Sequence, residues 1–333
     1  MDKNSTSKVI SFLNSSIKKG EIPSKEGKLL LAFYTSYQKT VGTIKDVTPI
    51  FLTFLKLMIK QFKEPYPFEP YHKQIRKPFD YYQFGKDFVR PLIDRGASSI
   101  SGKERLREIS EHLSQGHNAI FLANHQTEAD PQAIFLMLEE EFEILAEQLI
   151  IIAGERVITD PLAIPFSMGC NLLCIYSKRY IDHPPEKKHK KQLHNRKTMQ
   201  LMSELLKEGG KCIYVAPSGG RDRRNARGEL EIAPFDPKSI EMFYLMAKKS
   251  KIPTFFYPMA LGTYNLLPPP ETIQVELGEE RSLNRAGVHL SVGPQIDMEH
   301  YPGMDHPDKH LRRKSKADYI WKLVHDDYQK FPR

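Results

Sequence analysis

With 333 residues, 40% of them hydrophobic, the chain can bury a sizeable core and exceeds the usual length of one domain, which favours two domains over one. Charged residues make up 27% and mark a soluble surface, which argues against a chain built inside a membrane. The formal net charge of +8 would suit nucleic acid as a partner, but no nucleic-acid motif accompanies it, so none is expected.

In chain order, residues 5 to about 65 carry three helical patterns. Ser5 is placed to cap a run containing Val9, Ile10, Phe12 and Leu13, and Ser24 to cap Gly27 to Thr40. The third pattern holds Ile50, Leu52, Phe54, Leu55, Leu57 and Met58. Pro65, Pro67 and Pro70 then break the periodicity and read as a linker. Further helices are expected from Tyr81 to Ile93 and from Gly102 to Leu113. This divides the chain into a small N-terminal helical bundle, 1–75, and a larger α/β domain, 76–333.

In the larger part, apolar runs at 119–123, 149–153, 172–176, 212–216, 254–259 and 287–292 read as strands. Helical stretches at 131–148, 186–208 and 237–250 alternate with them. Such alternation predicts an α/β fold with a mixed, largely parallel sheet covered by helices, whose ligands gather beyond the carboxyl ends of the strands.

Three strand ends carry chemistry. The run 119–123 ends in Asn124-His125-Gln126-Thr127-Glu128-Ala129-Asp130-Pro131, with Pro131 suited to the first turn of a helix. His125 and Asp130 thus lie on a tight strand-to-helix turn, where a carboxylate holding a neutral imidazole makes a general base for a hydroxyl. The same spacing recurs at His300 and Asp305, but no apolar run precedes it and Pro302-Gly303 make it a solvated turn. At the second strand end, Cys174-Ile175-Tyr176-Ser177 gives way to Lys178-Arg179-Tyr180. At the third, Cys212-Ile213-Tyr214-Val215 opens into Ala216-Pro217-Ser218-Gly219-Gly220-Arg221-Asp222-Arg223-Arg224. Glycines let backbone approach a ligand and arginines grip phosphate oxygens in pairs, so a base and a clamp together describe a site for a phosphorylated alcohol. Ser218, among the glycines, reads as shaping the backbone rather than as a nucleophile.

The segments NHQTEADP, IYSKRY and VAPSGGRDR resemble the motifs of the soluble, plastid-type glycerol-3-phosphate acyltransferases, within the wider glycerolipid acyltransferases that share the His-x4-Asp signature. Ala153 to Pro161, Ala233-Pro234-Phe235-Asp236, and Tyr257 to Leu261 leading to Pro268-Pro269-Pro270 extend the resemblance over about residues 119–270. The resemblance implies acyl transfer from a thioester to the 1-hydroxyl of glycerol 3-phosphate, giving lysophosphatidate. It also implies that His125 and Asp130 are the catalytic pair and that Arg221 and Arg223 bind phosphate. Arg179 falls where the family has a phosphate-binding lysine, with Lys178 as the neighbouring cation, and Tyr180 falls where plant members have a histidine. Other phosphorylated acceptors such as lysophosphatidate, and a non-catalytic phospholipid- or carrier-binding module, are the alternatives.

Between Lys187 and Lys197 stand six basic residues, Lys187, Lys188, Lys190, Lys191, Arg196 and Lys197, without an acid. They read either as a solvated helix face or as a dock for an acidic partner. The resemblance supplies one in acyl carrier protein, with acyl-CoA as another donor. The longest uncharged window, Pro161 to Ser177, contains Pro165, Gly169 and Asn171 and suits a loop and strand better than a spanning helix. Its segment from Leu162 to Leu173 is either an acyl groove or ordinary core. No signal-peptide pattern opens the chain. A soluble protein of the bacterial cytosol or plastid stroma is expected, with peripheral membrane contact open. Cys170, Cys174 and Cys212 form no CxxC pair and read as reduced thiols, and neither GxSxG nor a Walker loop occurs. No metal and no cofactor is expected.

Overall fold

The computed structural model describes residues 3–177, 181–269 and 282–332. Three helices open it: α1 (Lys3–Lys18), α2 (Ser24–Val41) and α3 (Thr48–Lys63). Their apolar faces meet in an aromatic cluster in which Phe51 lies 4.8 Å from the Tyr34 ring and 5.6 Å from that of Phe54. The serine cap expected at Ser24 is not made. Helix α1 already includes Ser5, and Pro23, in extended backbone, takes the capping position ahead of Ser24 without a side-chain hydrogen bond. Proline fixes φ at a value that suits the residue before a helix, so the hydroxyl is dispensable.

The bundle core does not stop at the proline-rich segment. Phe33, Phe51 and Phe54 share one cluster with Phe88 on α4 (Tyr81–Val89) and with Phe166 on α9 (Ile164–Ser167). Tyr37 stacks on Phe88 at 4.7 Å and donates its hydroxyl to the Phe88 carbonyl at 2.6 Å. Helix α4 stops at Val89, short of the expected Ile93, because Pro91 converts residues 90–92 to a single 3-10 turn.

Behind this layer lies an eight-stranded sheet. In chain order its strands are β1 (Tyr71–His72), β2 (Ser99–Ser101), β3 (Asn118–Ala123), β4 (Ile150–Gly154), β5 (Asn171–Ile175), β6 (Cys212–Val215), β9 (Thr254–Gly262) and β10 (His289–Val292). The remaining pair, β7 (Arg223–Arg224) and β8 (Leu230–Glu231), forms a separate hairpin. The sheet order is β1-β5-β4-β6-β3-β9-β10-β2. From β5 to β9 every pair is parallel, while β1 and β10 run antiparallel to their neighbours β5 and β9. This is the mixed, largely parallel sheet read from the alternation. The six longer strands lie where apolar runs indicated; β1 and β2 are too short to show a pattern.

Helices cover both faces. Helices α5 (Lys103–Ser114), α6 (Asp130–Leu138) and α7 (Glu143–Gln148) pack on one, and α10 (Lys188–Glu208), α11 (Pro237–Ser250) and α12 (Lys309–Tyr328) on the other. Central β3 is therefore buried along its whole length. The helix expected over 131–148 is two. Helix α6 ends where Glu139, Glu140 and Glu141 would crowd three negative charges at a helix C-terminus, which the helix dipole opposes. Glu139 instead joins Lys86 at 3.3 Å, Arg95 at 2.6 Å and Arg90. Short α8 (Glu155–Thr159) follows β4, and in the stretch 162–173 Ile164, Met168, Leu172 and Leu173 are buried while Leu162, Ala163, Phe166 and Asn171 are half-buried.

Because β3, β6 and β9 are adjacent and parallel, their carboxyl ends open onto one edge. The three following segments begin at Asn124, Ala216 and Thr263 and must meet there.

Candidate active site

Directly after β3 the chain turns through residues 124–129 into α6, whose first residue is Asp130 and whose first turn contains Pro131. The Asp130 carboxylate is almost wholly buried. His125 Nδ1 lies 2.7 Å from Asp130 Oδ2, and the Gln126 backbone N–H donates to the same oxygen at 2.9 Å. Oδ1 accepts from the Thr127 N–H and the Thr127 hydroxyl, each at 3.1 Å, and from the Thr263 hydroxyl at 2.5 Å. The donors hold the charge where solvent cannot, and the N-terminal end of α6 favours it further. Burial would raise the Asp130 pKa, but the hydrogen bond and charge of His125, with the Thr263 and Gln126 bonds, bring it below the ordinary carboxylate value.

The same balance runs the other way on the imidazole. Burial would lower the His125 pKa, yet the Asp130 carboxylate, helped by Glu128, raises it above 6.5. The His125 side chain is 31% exposed against 2% for Asp130, so one partner is anchored while the other reaches the site. The second His-x4-Asp copy forms no such pair. His300 is 71% exposed and bonds Asp297, not Asp305, at 2.8 Å.

The loop after β6 brings the arginines alongside. Ser218 Oγ donates to the Gly220 carbonyl at 2.8 Å, closing a tight turn in which Gly219 has φ +63, a conformation open to glycine at little cost. Arg221 is 9% exposed and its guanidinium meets the Glu128 carboxylate at 2.5 Å. Arg223 starts β7, the strand that pairs with β8. Between them Asp222 donates its backbone N–H to the carbonyl of His125 at 2.7 Å. The arginine loop is thus fastened to the very residue that carries the imidazole. Lys178, Arg179 and Tyr180, expected beside them, lie outside the described residues.

Sequence reasoning missed the frame behind these groups. Asn124 donates to Asp222 at 2.8 Å and exchanges hydrogen bonds with both backbone groups of Leu261, at 2.9 and 2.7 Å. Gln126 accepts from the N–H groups of Thr263 and Tyr264, at 2.7 and 2.8 Å. Asp222 carried one signal, an acid set among arginines; Gln126 and Thr263 carried none.

These features have counterparts in known proteins. A family model described as Acyltransferase matches residues 100–262. The chloroplastic glycerol-3-phosphate acyltransferase of Cucurbita moschata is 38% identical over 327 residues, spanning 95% of this chain and 73% of that one. That of Arabidopsis thaliana is 34% identical over 336 residues, spanning 99% of this chain and 73% of the relative. The chain belongs to the glycerol-3-phosphate acyltransferase family. That of Spinacia oleracea, 39% identical over 300 residues, spans 88% of this acyltransferase-family chain and 64% of its own.

Two other readings bear on the family member's surroundings. Of the basic run, Lys187, Lys188 and Lys190 are exposed, but Lys191 is buried, bonding Glu155 at 3.1 Å and the His183 carbonyl at 2.8 Å. It belongs to the fold and not to a docking face. Among the described residues, no helix is long and apolar enough to cross a membrane, and no group of three His, Cys, Asp or Glu side chains could hold a metal.

The His125–Asp130 pair titrates in both directions. The raised His125 pKa means its share of stability is full below the unfolded value near 6.5 and is lost as pH rises through the native value. The lowered Asp130 pKa means its share is present above about 3.8 and is lost as pH falls through the native value. Histidine side-chain NMR should place the His125 midpoint above 6.5 and that of buried His72 below it. Asp130→Asn should bring the His125 midpoint down; an unmoved midpoint would mean that the carboxylate does not hold the imidazole.

Proposed function

We propose that this chain moves a fatty acyl group from an acyl carrier protein thioester to the 1-hydroxyl of glycerol 3-phosphate, giving lysophosphatidate. One observation carries the reading: the arginine loop is hydrogen-bonded, through the Asp222 N–H at 2.7 Å, to the carbonyl of His125. A base and a phosphate grip on one frame suit an acceptor with a hydroxyl at one end and a phosphate at the other.

In this reading Asp130 holds Nδ1 and leaves Nε2 to take the proton from the 1-hydroxyl. The alkoxide oxygen attacks the thioester carbonyl, the carbon–sulfur bond breaks, and His125 returns the proton to the departing thiolate. The acyl group passes directly between substrates, with Ser218 engaged in its turn. Arg221 and Arg223 take the phosphate, which replaces Glu128 on Arg221 as one anion for another. By position in the motif, Arg179 and Lys178 complete the grip. No cofactor takes part. The exposed Lys187, Lys188 and Lys190 offer an acidic carrier protein a complementary face, with acyl-CoA as the rival donor. The relatives are chloroplastic, which supports a plastid as the setting, with the bacterial cytosol as the alternative.

Replacing His125 by Ala should cut turnover by about 10² to 10⁴ with the fold intact, whereas His300→Ala should be silent. Arg221→Ala and Arg223→Ala should each raise the KM for glycerol 3-phosphate about 10- to 150-fold, the equivalent of about 1.5–3 kcal/mol, and leave the donor KM alone. Unphosphorylated glycerol should be a very poor acceptor. A rise in donor KM instead would assign the loop to the carrier's phosphopantetheine, and turnover of lysophosphatidate in place of glycerol 3-phosphate would move the acceptor.

The docking face is tested separately. Reversing Lys187, Lys188 and Lys190 to Glu, with buried Lys191 kept, should lower kcat/KM for the acyl carrier substrate and flatten its salt dependence without changing kcat, because exposed charges steer over about 8–10 Å at ordinary salt. An unchanged kcat/KM at low salt would make the run an ordinary solvated surface.

A further inference from the structure

Asp222 stands between two arginines in sequence, yet its carboxylate bonds neither of them among the described residues. It is fully buried. Oδ2 accepts from Asn124 Nδ2 at 2.8 Å and from Gln126 Nε2 at 3.2 Å, and Oδ1 accepts the Ala233 N–H at 3.0 Å. Asn124 and Gln126 are the two neighbours of His125, and Ala233 lies just beyond β8, on the return of the arginine hairpin. One side chain therefore joins both stems of that hairpin to both flanks of the imidazole.

We propose that Asp222 determines which hydroxyl of the acceptor is acylated, as a positioning residue that fixes the offset between the arginine loop and His125. The inference rests on the reading of His125 as base and of Arg221 and Arg223 as phosphate grip. The two hydroxyls of glycerol 3-phosphate differ by one carbon in their distance from the phosphate, about 1.5 Å of chain. A site that anchors the phosphate selects between them only if base and anchor keep their separation to better than that length. Once the acceptor phosphate takes the place of Glu128 on Arg221, the backbone bond from Asp222 to His125 is one contact about which the loop can pivot. The carboxylate adds two more to the flanks of His125, Asn124 and Gln126, and a third to Ala233 that locks the two stems of the hairpin together, and removes that freedom.

The titration of this group supports the assignment. Burial raises the Asp222 pKa to about 6, against the opposing hydrogen bonds of Asn124, Ala233 and Gln126 and the charge of His125. The titratable and charged groups around it are His125 on the turn after β3, Tyr214 on β6, which also feels the charge of Asp130 on α6, and Arg221 and Arg223, its neighbours on its own loop. Protonation puts a hydrogen on one of the accepting oxygens, which then faces an N–H instead of receiving it.

Two acceptors with one hydroxyl each provide the test and avoid acyl migration. Propane-1,3-diol monophosphate keeps only the far hydroxyl, and propane-1,2-diol 1-phosphate only the near one. The wild-type protein should strongly favour the first in kcat/KM. Asp222→Asn, its fold checked by circular dichroism and melting, should lower that preference about tenfold or more, since a displacement near 1 Å can change rate about 10²-fold. In the unmodified protein the preference should fall as pH drops through about 6, the range in which Asp222 protonates. Charging His125 slows both acceptors alike and cancels from the ratio. This arm decides the matter if the variant does not fold. A loss of rate on both acceptors with the preference intact, in the variant and across pH, overturns the proposal. If His125→Ala stays active, or Arg221→Ala leaves the acceptor KM unchanged, the underlying reading has failed and the proposal falls with it.

Discussion

Asp130 places a carboxylate where water cannot solvate it, and the edge of the sheet is organised around that charge. An unpaired buried charge is prohibitively costly, so donors must converge on it. They come from His125, from the Gln126 and Thr127 backbone, from the Thr127 hydroxyl, and from Thr263 across the neighbouring strand. Satisfying the carboxylate therefore folds the turn, aims the imidazole and ties β3 to β9. The catalytic proposal asks nothing further of Asp130: a residue that holds one ring nitrogen of His125 fixes which nitrogen is left to act.

Two buried carboxylates lie within this small region and are tuned apart. Asp130, with a cationic partner and several donors, is held ionised, while burial raises Asp222 to about 6. The difference follows from the partners, since amide donors offset desolvation less than an imidazolium does. A third carboxylate, Glu128, sits on Arg221. An acceptor phosphate would meet a guanidinium already oriented by an anion, which lowers the cost of ordering the arginine on binding.

How much of this could be read from the chain depended on how local each feature is. Central strands β3, β4, β5, β6 and β9 announce themselves as short apolar runs because both of their faces are covered. The His125–Asp130 pair was legible because five positions span one turn, and the Ser218 turn because glycine and serine chemistry is local. The break between α6 and α7 was not, since Glu139 is drawn off by Lys86, Arg90 and Arg95 from distant segments. Nor was the frame: Asn124 reaches Asp222 across 98 positions and Thr263 reaches Asp130 across 133. Lys191 shows the limit of composition, because one lysine of a basic run is buried while its neighbours are exposed.

The most direct test is the structure of the complex with glycerol 3-phosphate. The account predicts the phosphate on Arg221 and Arg223, with Glu128 displaced, and the 1-hydroxyl within about 2.6–3.2 Å of His125 Nε2. A phosphate bound elsewhere, or one held by the arginines with neither hydroxyl within reach of His125, would contradict it.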